Sequence, residues 1–314
     1  MRRTLPLIGL GSLFLLASCA KASELPPDEV LKRAVGAGGQ MESAAFSMDA
    51  DIQLFLPDMP GRAKIHMDGV LQDGGEITQF SFAGDGAVTQ AGQPLGGTIQ
   101  GDIISEQSHA FYFRLNKASL APEHPLFTQE SIAKLLGTWW MIPQGSSAAI
   151  GKVTPDPSLL RAQSEVVAVT RDRGIVKYGD DGHEAYHYDV TLDPAKFAAF
   201  LGKLAAERDG IFDESIVAKD LASYDAKGEL WIDADTFMVH EVSWDIGPRQ
   251  GKSAPYGLKL DVKLSDHNAA TPVSLPSDAK IYPGFGSGSA VPSASTSIAP
   301  VTTPSSSSAS SARS

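Results

Sequence analysis

The sequence predicts an α+β fold in which a long antiparallel β-sheet carries a few helices. Apolar and polar residues alternate from Phe46 to Leu56, which is the two-residue period of a strand with one wet face. Further β-rich runs follow, separated by turn sequences, whereas helical spacing of apolar residues occurs near the N terminus and in three later segments. The chain has 314 residues, 42% of them hydrophobic, and is therefore long enough to bury a sizeable core.

The first half of the chain reads as one helix followed by a meander of strands. Prolines and acidic residues precede apolar residues at helical spacing, which predicts a helix over Asp28 to Met41. Turn sequences at Asp73–Gly75 and Pro94–Gly97 separate the strands of the meander. After the Phe46 strand, the predicted strands are Arg62 to Leu71, Glu76 to Phe82, Thr98 to Ser105 and His109 to Leu115.

The second half alternates short helices with strands. Thr128 is predicted to cap a helix that ends at Leu136, and Asp193-Pro194 to begin another that buries Phe197, Phe200, Leu201 and Leu204. A further helix is predicted over Glu214 to Leu221. The predicted strands are Trp139 to Pro143, Ile175 to Tyr178, Glu184 to Leu192, Glu229 to Asp233, Phe237 to Ile246 and Leu258 to Leu264. The pair Trp139-Trp140 fits either the core or the wall of a ligand site.

Composition excludes several classes of function. The formal net charge is −11, which disfavours binding of nucleic acid or anionic headgroups by charge, and we expect no nucleic-acid partner. Cys19 is the single cysteine, so a disulfide or a cysteine cluster for metal is not available within one chain. We expect no cofactor.

The N-terminal segment has the pattern of a bacterial lipoprotein signal. Arg2 and Arg3 precede an apolar run from Leu5 to Ala17 that is too short to span a bilayer as a helix. The run ends in Leu16-Ala17-Ser18-Cys19, which resembles the lipobox, in which the cysteine is acylated and becomes the mature N terminus. An ordinary secretory signal with an incidental cysteine is the alternative. The lipobox predicts an extracytoplasmic protein tethered through Cys19 to the cell membrane, or to the outer membrane of a cell with two.

Four segments follow from these patterns. Residues 1–18 are predicted to form the signal peptide, and residues 19–27 a lipidated tether. Residues 28–283 are predicted to form the folded domain. Residues 284–314 consist of serine, threonine, proline and alanine with almost no large apolar residue, and we expect a disordered tail because such a segment cannot offset the entropy of ordering.

One motif resembles a catalytic centre. His183-Glu184-Ala185-Tyr186-His187 matches the H-E-x-x-H pattern of zinc metalloproteases, which places both histidines on one face of a helix. Here a glycine-bounded turn precedes the motif, and a two-residue period follows it. On a strand, residues four apart stand roughly 13 Å from each other, and one zinc ion could not bind both. We therefore expect no catalytic and no metal-binding residues, with a zinc hydrolase as the least favoured alternative.

The order of elements, together with several short segments, resembles the LolA/LolB-like fold and especially the mycobacterial LppX/LprG class of lipoproteins. The segments that carry the likeness are Ala44-Ala45-Phe46-Ser47, Leu136-Gly137-Thr138-Trp139-Trp140-Met141-Ile142, Tyr186-His187-Tyr188-Asp189-Val190-Thr191-Leu192-Asp193-Pro194, Gly228-Glu229-Leu230-Trp231-Ile232-Asp233 and Val273-Ser274-Leu275-Pro276.

The resemblance implies that the sheet curls into an open half-barrel around the helices and leaves an apolar cavity for acyl chains. The residues expected to line it are Met48, Ile52, Leu54, Met67, Phe111, Phe113, Trp139, Tyr186, Tyr188 and Trp244. The function implied is the binding or carriage of a lipid or acylated ligand by a monomer, without catalysis. A non-catalytic scaffold of the cell envelope is the alternative, because the same residues would also serve a filled core.

Overall fold

The computed structural model describes residues 25–90, 92–106, 110–122, 128–143, 166–180, 182–206 and 213–282. All helices and strands of these ranges belong to one compact unit that ends at Ile281. The predicted acylation site at Cys19 and the predicted tail over residues 284–314 lie outside the described residues.

The helices begin at the positions that the sequence indicates. Thr128 caps its helix, accepting a hydrogen bond from Ser131 N at 3.2 Å, and Asp193 Oδ1 accepts from the backbone of Ala195 and Lys196 at 3.0 Å. No helix in the described ranges is long and apolar enough to cross a bilayer. The α-helices of these ranges are α1 (Pro27–Gly39), α2 (Gln129–Ala133), α3 (Pro194–Ala206) and α4 (Glu214–Leu221).

The strands form a single sheet whose order follows the chain along two meanders. Its order is β12-β6-β5-β4-β3-β2-β1-β11-β10-β9-β8-β7, so β12 and β7 are the edges and the sheet stays open. All pairs are antiparallel except β12 with β6. The strands are β1 (Ala44–Leu56), β2 (Met59–Gln72), β3 (Ile77–Gln90), β4 (Gln93–Glu106), β5 (Ala110–Ala121), β6 (Trp140–Pro143), β7 (Val167–Tyr178), β8 (His183–Leu192), β9 (Tyr224–Asp233), β10 (Val239–Pro248), β11 (Tyr256–Ser265) and β12 (Lys280–Ile281).

One face of the sheet is apolar across most of its width, because the register aligns the alternating positions of neighbouring strands. Met48 of β1 lies opposite Met67 of β2 and Val262 of β11. The other face carries the polar residues. The predicted fold class, α+β with a long antiparallel sheet open as a half-barrel, is confirmed.

The core lies where helix α1 covers this apolar face. Val30, Leu31 and Ala34 of α1 are buried together with Phe46 and Leu71 of the sheet. A second dense region runs through the centres of β8, β9 and β10, where Tyr188, Leu230, Ile232 and Val242 are fully or almost fully buried.

The turn predicted at Pro94–Gly97 is wrong, since these residues lie inside β4. Pro94 pairs with Thr89 of β3, while β5 joins β4 only from Gly96 onward, so the missing N–H of Pro94 costs no ladder bond on the β5 side. A Cβ on Gly97 would meet the Ser119 carbonyl at 2.5 Å, so glycine here permits close strand packing rather than a turn. Strand β12 was not predicted, and β3, β5, β7 and β9 are longer than predicted.

Candidate functional site

An apolar pocket of about 400 Å³ lies between α3 and the part of the sheet formed by β8 to β11. Pocket volumes of this size are typical of small-molecule sites. The sheet supplies its floor, and Phe197 of α3 and Leu221 of α4 supply its cover. The remaining lining residues are Met48, Val166, Thr191, Leu192, Pro194, Tyr224, Ala226, Trp244, Ile246, Arg249, Tyr256, Leu258, Leu260 and Val262. We call this site the α3 pocket.

Four of the ten predicted cavity residues line a concave surface. Met48 and Trp244 line the α3 pocket. Ile52 and Leu54 line a second, shallower apolar trough of about 310 Å³, which β1 to β5 form together with residues such as Val88 and Leu120. The trough lies on the same face of the sheet, because Ile52 stands directly opposite Leu258 of the α3 pocket.

The other six predicted cavity residues line neither concavity. Tyr186 and Tyr188 are buried in the core with their rings stacked at 6.2 Å, and Trp139 lies beneath the Arg114 guanidinium, 4.9 Å from it. Met67, Phe111 and Phe113 are partly buried and pack against the core cluster.

Several pocket residues were not predicted. Helical spacing places Phe197 on the buried face of its helix, but Tyr224, Arg249 and Tyr256 carry no periodic signal because they lie at strand ends and in a turn. The pocket depends on where α3 and α4 pack against the sheet. That placement is non-local, and no sequence pattern near these residues encodes it.

Two tyrosines contribute hydroxyl groups to the lining of the α3 pocket. The rings of Tyr224 and Tyr256 lie 4.8 Å apart between centroids. Burial, and then the neighbouring Tyr256 side chain, raise the pKa of Tyr224 well above its usual range, so the phenol stays protonated. Thr191, which also lines the pocket, donates its hydroxyl to the Ala226 carbonyl at 2.7 Å.

The H-E-x-x-H motif lies on strand β8, as the sequence analysis expected, and not on a helix. His187 stacks on Trp231 at 4.4 Å and its Nε2 lies 2.9 Å from Glu229 Oε2. His183 is exposed at the start of the strand, with its ring 6.4 Å from that of His240. The two histidines thus have different neighbours and do not converge on a common ligand position.

A cluster of possible metal ligands on the polar face is balanced by an arginine. One atom each of His187, Asp189 and Glu229 lie within 4.8 Å of one another. Arg173 Nη2 is 2.6 Å from Asp189 Oδ1 and 3.5 Å from Glu229 Oε1, so a guanidinium already lies between the two carboxylates. We assign this cluster to the charge network of the sheet surface.

The polar face of the sheet carries a broad depression of about 650 Å³ whose charges alternate. In register across five neighbouring strands stand Asp245, Lys259, Asp51, Lys64 and Asp85. Opposite charges on adjacent strands stabilise pairing modestly. We assign these paired charges to the stability of the sheet rather than to a ligand site.

His66, in this depression, gives the fold a small pH dependence. Its Nδ1 lies 2.8 Å from Asp49 Oδ1 and its Nε2 2.6 Å from Asp68 Oδ2. These hydrogen bonds, that with Asp49 first, raise the pKa of His66 in the folded protein above its ordinary value of 6.5. The added stability is therefore full below pH about 6.5 and is lost as pH rises through the higher folded-state value. All three side chains are about half-exposed or more, so the effect stays below about 1 kcal/mol.

We accordingly expect the urea midpoint of unfolding of the wild-type protein to fall between pH 6 and pH 9. The midpoint of the His66→Gln variant should fall less steeply over the same range. The double variant Asp49→Asn/Asp68→Asn keeps the histidine but removes its two partners. Its urea midpoint should therefore change with pH as weakly as that of His66→Gln. Equal slopes in all three proteins would show that the cluster does not contribute.

Comparisons with known proteins bear on the fold. No family model and no curated protein matches the chain. Among solved structures, LprF from Mycobacterium bovis is similar over 82% of this chain and 100% of its own, with 15% identity and a TM-score of 0.39. A LolA superfamily protein from Nitrosomonas europaea is similar over 80% and 96%, with 12% identity and a TM-score of 0.22. A DUF1849 protein from Brucella abortus is similar over 72% and 98%, with 10% identity and a TM-score of 0.27.

The structure itself shows the open, almost entirely antiparallel sheet with few helices that the sequence predicts. Identities of 10 to 15% concern the fold alone. Because the TM-scores lie below 0.5, we base no inference about a ligand on them.

Proposed function

We propose that this protein is an extracytoplasmic lipoprotein, anchored to the membrane through acylated Cys19, whose monomeric domain binds or carries a lipid or another ligand with an apolar chain. The observation that carries the proposal is the α3 pocket, which is lined almost throughout by apolar side chains from α3, α4 and five strands. Over most of its surface, a site of this composition carries no group that could form a hydrogen bond with a polar substrate.

The size of the pocket suits a single chain. At about 30 Å³ per group, the share of liquid volume that a water molecule takes, about 400 Å³ holds on the order of a dozen methylenes. Each buried methylene contributes about 0.8 kcal/mol, so such a chain gains on the order of 10 kcal/mol before the costs of association. Carriage therefore needs no catalytic group.

The pocket also supports this function over the alternatives. A filled core would favour a scaffold protein, whereas here space remains between α3 and the sheet, next to the buried Trp244. A zinc hydrolase needs the helix that β8 does not form.

Uptake of a fluorescent fatty acid by the purified full chain tests ligand binding. We expect saturable binding at about one probe per protein, competed by unlabelled dodecanoate. A chain that takes up no probe, both before and after extraction with organic solvent, would contradict the proposal.

We expect Cys19→Ser to abolish acylation of the protein. The thiol is the acylated group, and a hydroxyl at this position does not replace it in a lipobox. Growth with radiolabelled palmitate, followed by membrane fractionation, should show a labelled membrane-bound protein for the wild type and for the control Ser23→Ala. The Cys19→Ser protein should be unlabelled. A Cys19→Ser protein that remains labelled would contradict the anchor.

A further inference from the structure

The lining of the α3 pocket contains a single charged side chain among the described residues, that of Arg249. The other lining residues are apolar or carry hydroxyl groups. This composition contrasts with the whole chain, in which 37 acidic residues outnumber 26 basic ones. The site therefore carries a positive charge, whereas the protein as a whole carries a net negative charge.

The backbone around Arg249 is fixed by two hydrogen bonds. Arg249 N donates to the Ser223 carbonyl at 2.8 Å, and Lys252 N donates to the Arg249 carbonyl at 2.8 Å. Gly251 closes this turn with φ of 75°, a conformation that favours glycine. Arg249 is therefore held between the segment that follows α4 and the turn before β11, at the exposed end of the pocket.

No carboxylate of the described residues lies within ion-pair distance of the Arg249 guanidinium. Arg33, Arg114 and Arg173, by contrast, each contact an acidic side chain at 2.6 to 2.9 Å. Arg249 itself is exposed, so in the empty pocket its charge is hydrated at little cost. A guanidinium offers a fork of donors that matches carboxylate and phosphate oxygens.

The tyrosine pair lines the same pocket as Arg249. Tyr224 and Tyr256 line the pocket together with Arg249, and Tyr256 is 42% exposed. The hydroxyl groups of these tyrosines add hydrogen-bond donors to the lining of the same pocket. The rim therefore offers positive charge and hydrogen-bond donors, while the interior offers apolar surface.

We infer that the ligand of the α3 pocket is an amphiphile with an anionic head group, a carboxylate or a phosphate, which Arg249 binds at the rim while the apolar chain lies against Phe197 and Trp244. This inference rests on the proposed function and specifies the ligand. The net negative charge of the protein opposes attraction at long range, so Arg249 acts at contact distance.

Four probes with one dodecyl chain test the inference: dodecanoate, dodecyl phosphate, dodecanol and dodecyltrimethylammonium. Calorimetry at pH 8 with the full chain carrying Cys19→Ser avoids competition from a covalent acyl chain. We expect one or both anions to bind at least about tenfold more tightly than dodecanol, which is typical of a hydrogen bond to a charged group. The cation should bind more weakly than dodecanol. The tighter anion identifies the head group.

Arg249→Met should abolish the preference for the anions and leave dodecanol binding unchanged, whereas Arg249→Lys should keep part of the preference. Lys252→Met removes a cation from the same turn and should have no effect. Equal binding of the four probes, or a preference that survives Arg249→Met, would overturn the inference while leaving the proposed function standing. Failure of all four probes to bind would overturn both.

Discussion

Replacing Ala226 by tryptophan is expected to abolish binding of a dodecyl chain while lowering stability by less than about 1 kcal/mol. Ala226 is buried on β9 and lines the α3 pocket. In a close-packed core, a larger side chain at such a position forces strain of about 1 to 3 kcal/mol or more. In a hollow domain, the indole instead enters the space that the ligand would occupy.

The matched control is Ala63→Trp, which makes the same change on the same face of the sheet, in the trough between β1 and β5. This variant should keep the affinity of the wild type for dodecanoate. Fluorescence titration and urea denaturation of the full chain measure both quantities. An Ala226→Trp protein that binds dodecanoate as the wild type does would show that the chain does not enter the α3 pocket.

Leu230→Ala is expected to have the largest effect on folding, a loss of about 2 to 5 kcal/mol in the free energy of unfolding. Leu230 is fully buried in β9, where it pairs with Tyr188 of β8 and Val242 of β10, both buried as well. Removal of its side chain leaves a cavity. The strands on both sides are held in the sheet and cannot move to fill it. Urea denaturation of the full chain measures the change.

Leu275→Ala provides the control, because Leu275 is 44% exposed and lies outside the strands. Its effect should stay within about 0.5 kcal/mol. Comparable losses for the two leucines would mean that the centre of the sheet is not the stabilising core.

Local pattern predicted the fold class and most of the elements. The alternation of Phe46 to Leu56 located β1, and the cap residues Thr128 and Asp193 located the starts of two helices. Local pattern suggests a turn at Gly96 and Gly97, but both residues lie inside β4. Gly96 lets β3 lie close to β4, and Gly97 lets β5 do so. This role depends on the neighbouring strands and is not encoded in the local sequence.

The candidate site was less predictable than the fold. Met48 and Trp244 follow from strand periodicity, which identifies the apolar face of the sheet. Periodicity does not distinguish a residue that faces a filled core, such as Tyr188, from one that faces a pocket. That difference depends on how α3 packs over the sheet, and Arg249 acquires its place at the rim only through this packing.

Extraction of the purified protein with organic solvent, followed by mass spectrometry, tests the central claim most directly. Protein isolated from the cell that makes it is expected to release about one molecule with an apolar chain per polypeptide, which is not covalently bonded to the protein. The Ala226→Trp protein should release none. An extract without any such molecule, from a wild-type protein that also fails to take up dodecanoate, would contradict the claim that the α3 pocket is a site for an acyl chain.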